Sequence, residues 1–167
     1  MAGSIAKSEV VDRDLGYARI VKELGRIAHK DPGVLIGIRQ GAEAPAGVDI
    51  SMVELGSVHE FGSLDGTIPE RSFLRSTADA YQEKYADRLG DAIGFAIDGW
   101  RPLKTSLGRI GAEAVSDVQG RITRREIHQD LSEATIRRKT VGGKKGDVAL
   151  VDTGHLLKVI DWKTEGV

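Results

Sequence analysis

Apolar side chains recur along this chain at two different periods, and the switches between them outline its elements. Over residues 14–29, Tyr17, Ile20, Val21, Leu24, Ile27 and Ala28 step by three and four, the spacing that stacks side chains on one face of a helix. Asp14 stands where an N-cap belongs, and Asp31-Pro32-Gly33 stops the helix with turn chemistry. Residues 33–39 (GVLIGIR) then read as a short β-branched strand, followed by a loop from Gly41 to Gly47. Within residues 48–60, Val48, Ile50 and Met52 alternate with polar neighbours. This pattern predicts a second strand, paired with the first as an antiparallel hairpin.

Residues 61–72 (FGSLDGTIPERS) are too rich in Gly, Pro and Asp for a regular element and read as a loop. From Phe73 to Ile97 the helical period returns through Leu74, Ala78, Tyr81, Tyr85, Leu89, Ala92, Ile93 and Ala96, with Ser72 placed to cap the start and Gly99 to end it. Trp100 marks the corner. Pro102 opens a further helix whose stripe is Leu103, Leu107, Ile110, Ala114, Val118 and Ile122. The pattern then loosens. Leu131 to Ile136 reads as a short helix capped by Ser132, residues 140–147 as a basic loop, the turn after Asp152-Thr153-Gly154 as helical through Leu157, and Val159 to Trp162 as a final strand. Three helices against a small antiparallel sheet make an α+β protein: one domain over residues 1–167, with an extended loop and a flexible segment at 121–147.

Composition narrows the chemistry. The chain has no cysteine, which removes disulfides, thiolate metal sites and cysteine nucleophiles. No apolar run is long enough to span a bilayer, and the first residues carry charge too often for a signal peptide. The formal charge is -1, but residues 1–100 hold 11 basic against 16 acidic side chains while residues 101–167 hold 13 against 9. Opposite-sign halves exclude a uniformly cationic nucleic-acid coat and leave a subunit with two unlike faces.

Candidate chemistry is sparse. Val148 to Gly154 spells an apolar strand followed by Asp-Thr-Gly, the half-site of an aspartic protease. That chemistry needs two carboxylates sharing a proton, and one copy so close to the C-terminus has no room for the strands that follow it. Asp152 or Thr153 capping the turn that carries Leu156 and Leu157 accounts for it better. His29, His59, His128 and His155 have no ligand spacing, so no metal or cofactor is expected. Gly142 to Gly146 lacks the Ser or Thr that a phosphate loop requires after its Lys. Arg121, Arg124, Arg125, Arg137, Arg138, Lys139, Lys144 and Lys145 form a basic segment against only Glu126, Asp130 and Glu133. It is suited to phosphates through counterion release or to an acidic protein surface. With aromatics at 5% and no reading helix, the protein surface is favoured, and a nucleic-acid-binding module on residues 121–145 is the alternative.

Several segments, taken in order, carry a resemblance. Val58-His59-Glu60-Phe61-Gly62 followed by Thr67-Ile68-Pro69-Glu70-Arg71-Ser72-Phe73-Leu74-Arg75 resembles the signature of tailed-bacteriophage neck and tail-completion proteins. Leu131 to Lys139 and Leu150 to Leu157 resemble that family's downstream patterns. Glu70 and Ser72 depart from it, where a small residue and Pro are usual. The resemblance covers roughly residues 50–160 and implies a non-enzymatic virion morphogenesis protein of phage or prophage origin. Such a protein forms a homo-oligomeric ring at the head–tail junction and joins the tail tube or tail terminator to the head connector. It is assembled in the bacterial cytoplasm, without a membrane, and meets nucleic acid only where DNA passes through the ring. It also absorbs Asp152-Thr153-Gly154 into the family's own C-terminal pattern. The interface residues expected on this reading are Phe61, Ile68, Arg71 and Phe73 around the loop, with Arg124, Arg125, Arg137, Arg138, Lys144 and Lys145 in the basic segment.

Overall fold

A computed structural model describes residues 15–42, 49–127 and 154–167. Among these residues lie six helices and a two-stranded sheet: α1 (Tyr17–Lys30), β1 (Gly33–Ile38), α2 (Met52–Phe61), α3 (Arg75–Ala80), α4 (Gln82–Asp98), α5 (Leu103–Thr123), α6 (His155–Val159) and β2 (Ile160–Glu165). The expected α+β class holds. The first helix, first strand, fifth helix and last strand fall where the periodicity places them, and the short turn ending at Leu157 is the start of α6. Asp14, the loop residues 43–48 and residues 128–153 lie outside the described residues. The short helix at Leu131–Ile136, the basic loop and Asp152-Thr153 therefore do too. The N-cap position of α6 falls on Gly154, in the left-handed conformation, with no side-chain cap.

The α5 helix is the spine. Every residue of its predicted stripe, Leu103, Leu107, Ile110, Ala114, Val118 and Ile122, is buried, together with Ser106 and Gly111. The N-terminal half of that stripe packs with Ala92 of α4, backed by Ile27 and Val34. Its C-terminal half packs with Met52, Phe73, Ile127, Leu156 and Ile160. One helix therefore joins both parts of the core, and both strands lie against it. Lys84 adds a polar tie, its ammonium 2.7 Å from Asp117 and 2.9 Å from Glu113 on α5, while the Tyr85 hydroxyl donates to Asp117 at 2.9 Å. Burial and the Asp117 carboxylate together push the Tyr85 phenol well above its ordinary pKa.

Two expectations fail, each for a physical reason. Residues 52–61 are a helix, not the second strand of a hairpin. Ser51 and Glu54 form a complete capping box: the Ser51 hydroxyl accepts from the Glu54 N–H at 3.2 Å, and the Glu54 carboxylate accepts from the Ser51 N–H at 2.8 Å. That nucleus outweighs three alternating apolar positions, and Ile50 is left exposed. The partner of β1 is instead the C-terminal β2, antiparallel, with Gly33 opposite Glu165 and Ile38 opposite Ile160. The long helix of residues 73–97 is also broken, at Tyr81, into α3 and α4. The Ser76 and Thr77 hydroxyls both bond back to carbonyls one turn earlier, Ser72 and Phe73, a pattern that bends helices. Gly99 does end α4, with φ of 76° and the Trp100 N–H closing on the Phe95 carbonyl at 2.9 Å.

The Trp162 indole on β2 lies flat against α5. A Cβ at Gly111 would stand 2.7 Å from the Trp162 ring, so only glycine admits this approach. Gly111→Ala should lower stability by about 1–3 kcal/mol through overpacking, measured by urea unfolding. Gly90→Ala, on the open face of α4 where nothing lies within 4 Å, should leave stability unchanged or raise it by up to ~1 kcal/mol.

Candidate functional site

The two halves of the signature, residues 58–62 and 67–75, are remote enough in sequence to be unconnected, yet one carboxylate joins them. Glu60 is in the last turn of α2 and is only 5% exposed. Its Oε2 accepts the N–H groups of Phe73 at 2.8 Å and Leu74 at 2.9 Å, and its Oε1 accepts the Arg75 N–H at 3.0 Å and the Ser72 hydroxyl at 2.7 Å. Helix starts leave backbone donors without internal partners, and a negative charge there also opposes the helix dipole. Glu60 therefore caps α3 from another element. The cap expected from Ser72 is corrected by this: the Ser72 hydroxyl donates to Glu60 and accepts the Ser76 N–H only at 3.3 Å. Both oxygens of Glu60 are thus taken up by the backbone of residues 73–75 and the Ser72 hydroxyl.

The loop between the halves is tied rather than open. Gly62 has φ of 80°, and a Cβ there would meet the Ile68 carbonyl and the Glu70 N–H at 3.1 Å. The Arg71 N–H donates to the His59 carbonyl at 2.8 Å, and the Ser63 N–H to the Ile68 carbonyl at 2.9 Å. At the tip, Asp65 accepts the Thr67 N–H at 3.1 Å and the Thr67 hydroxyl at 2.8 Å. The Ser63 hydroxyl, followed by these Thr67 donors, holds the Asp65 carboxyl down to about 2.

Of the expected interface residues, Phe73 is wholly buried in the core beside Met52 and Ile122, and Arg71 is 8% exposed. Both serve this chain's own interior, because the Glu60 cap draws the Phe73 backbone inward. Burial lowers the Arg71 pKa, and its Nε has no hydrogen-bond partner among the described residues. Ile68 is half-buried. Phe61 remains outward at 65% exposure, with the Arg75 guanidinium 5.8 Å from its ring centre, and Leu64 projects fully into solvent. Beside Phe61 runs an apolar groove of about 330 Å³ lined by Ile38, Val53, Gly56 and Leu74. Leu64 and Val53 were not singled out from sequence, although a leucine at a loop tip is the kind of signal that finds such residues.

Of the basic segment, residues 121–127 are described. Arg121 lies 3.3 Å and Arg124 2.6 Å from Glu126, and the Arg121 guanidinium also reaches the Ser76 carbonyl. The Glu126 hydrogen bond raises the Arg124 pKa, and Arg124 lowers that of Glu126. Arg125 has φ of 64°. Arg137, Arg138, Lys139, Lys144 and Lys145 lie outside the described residues. Among the described residues no group of three His, Asp or Glu side chains is arranged to hold a metal, and no helix is long and apolar enough to cross a membrane.

Glu60→Ala should cost about 2–4 kcal/mol in urea unfolding, since it strands three N–H groups at a buried helix start; Glu60→Gln should fall between this and the native protein. The Asp65 pKa is depressed, so its contribution to loop order is present above the ordinary carboxylate pKa and lost as pH falls through about 2. The Thr67 amide resonance should follow that titration, and a midpoint near 4 would contradict the loop geometry. No family model matches the chain, and neither a curated protein nor a solved structure does.

Proposed function

We propose that this chain is a structural, non-enzymatic subunit of a tailed-phage head–tail junction. It forms a ring that completes the tail and joins the tail tube or its terminator to the head connector. The reading rests on the ordered signature resemblance, and the observation that carries it furthest is apolar surface. Phe61 at 65% and Val53 at 40% exposure line the groove beside the signature loop, and Leu64, three residues on, is fully exposed at 110%. Clustered apolar exposure on a small domain marks a protein-binding surface. Aromatic and aliphatic anchors of this kind concentrate binding energy.

The chemistry of the signature fits a subunit better than a catalyst. Glu60, the one deeply buried carboxylate in it, is consumed by backbone donors. The nucleic-acid alternative draws less support, because Arg121 and Arg124 at the start of the basic segment are paired with Glu126.

The test replaces Phe61 and Leu64 together by Ser. Both side chains are exposed, so circular dichroism should be unchanged, while binding to purified tail or head connector proteins should fall by at least about tenfold. Retained assembly in electron micrographs would overturn this use of the loop. Binding to DNA that weakens steeply with salt would instead favour the alternative.

A further inference from the structure

We propose that the cleft between α4 and α5 is a binding site for a phosphate group carried by a small molecule. The inference goes beyond the assembly reading, and the cleft shares no lining residue with the groove beside Phe61. Its walls follow from the helical period. Arg88, Asp91, Ala92 and Phe95 stand at i, i+3, i+4 and i+7 of α4, and Ser106, Arg109, Ile110 and Glu113 repeat that spacing on α5. Each set therefore occupies one face of its helix. The helices return on each other through the short corner at residues 99–102, so that Lys84 meets Asp117 and Arg88 meets Glu113 in opposite order. The two faces are thus brought together around a cleft of about 230 Å³, and Arg101 joins its lining from the corner.

The cleft holds donors that the fold leaves unused. Glu113 is shared between Lys84 at 2.9 Å and Arg88 at 3.4 Å. The Arg101 guanidinium lies 4.8 Å from the centre of the Phe95 ring, and neither it nor Arg109 has an ion pair among the described residues. Ser106 is only 4% exposed, yet its hydroxyl has no hydrogen-bond partner among the described residues. The Pro102 carbonyl, one turn earlier, accepts the Thr105 and Ser106 N–H groups, and the Ser106 hydroxyl does not join them. A buried hydroxyl in that state carries a desolvation cost that an acceptor on a ligand removes.

Donor number and charge select the ligand. Two unpaired guanidinium forks and one hydroxyl border a space with room for a small anion. A carboxylate brings two oxygens and one charge, whereas a phosphate monoester brings three acceptor oxygens and close to two charges. The second set matches the two free guanidiniums with one oxygen left for Ser106. A duplex backbone needs cations spread along a surface, and these are gathered about one cleft. Asp91 is the one lining carboxylate without an ion pair among the described residues, so it opposes the anion and limits its affinity.

The test titrates the full chain with inorganic phosphate and, separately, with phenyl phosphate, following the backbone amide resonances at constant ionic strength. Saturable shifts are expected at Ser106, Arg109 and Arg101. Tighter binding of the ester would identify an organic phosphate as the ligand, and equal binding the free ion. Arg101→Gln with Arg109→Gln should weaken binding by at least about tenfold, and Ser106→Ala by a few-fold. Asp91→Asn should strengthen it, an effect in the opposite direction that a merely structural role would not produce. Arg19→Gln with Lys22→Gln removes exposed cations outside the cleft and should change nothing, and circular dichroism checks the fold of every variant. Absent or non-saturable shifts, or binding that survives loss of Arg101 and Arg109, would overturn the site. So would succinate binding as tightly as phosphate, which would assign the cleft to carboxylates, or duplex DNA held by the same arginines without phosphate binding. None of these outcomes bears on the Phe61 and Leu64 binding test.

Discussion

A single buried carboxylate organises the centre of this structure. Glu60 accepts three backbone N–H groups and one hydroxyl at the start of α3, which fixes the end of α2 against the chain 13 residues later. Because the cap lies on another element, the start of α3 is held by the end of α2. The capping box of Ser51 and Glu54 starts α2, and Glu60 at its far end starts α3. That arrangement turns Phe73 into the core, where it meets Met52, Val118 and Ile122, and it shapes the groove with Phe61 at the rim. A carboxylate in so dry a position is tolerated because its lone pairs are matched by fixed donors.

The same interaction separates the signature into interior and exterior parts. Glu60, Arg71 and Phe73 are occupied in forming the loop's base, whereas Phe61 and Leu64 are carried outward on it. The sequence pattern marks Glu60, Phe61, Arg71 and Phe73 alike, without distinguishing support from contact, and passes over Leu64. Burial makes that distinction: it removes Phe73 and Arg71 from the proposed contact, keeps Phe61 in it and adds Leu64 and Val53. Asp65 and Thr67 hold the loop tip in a defined shape, which lowers the entropy lost when a partner is bound.

The charge imbalance along the chain also resolves differently in space than in sequence. The acidic first part and basic second part suggest one boundary near residue 100, yet α1 in the acidic part is itself cationic and α5 in the basic part supplies Glu113 and Asp117 to hold Lys84. The relevant division lies between helices. Exposed Leu89 and Ile93 belong to the same apolar stripe as buried Ala92, which shows that a periodic stripe can exceed what its own chain covers.

Much of the architecture was legible in the residues. The α5 stripe is buried position for position, the limits of β1 follow from Asp31-Pro32-Gly33, and Gly99 stops α4, because helical period and turn chemistry act within a few neighbours. The Ser51-Glu54 box is equally local, and in the fold it outweighs the brief alternation at 48, 50 and 52 because it satisfies the backbone donors that start α2. What tertiary structure decided is of another kind. That β1 pairs with a strand over 120 residues later, that Gly111 makes room for Trp162, that Glu60 rather than Ser72 caps α3, and that α1 remains uncovered all depend on which surfaces meet. Local sequence sets the backbone preferences of each segment. The partner of a strand edge, a free N–H or an apolar stripe is chosen by packing between distant segments, where burial and hydrogen-bond satisfaction outweigh local propensity.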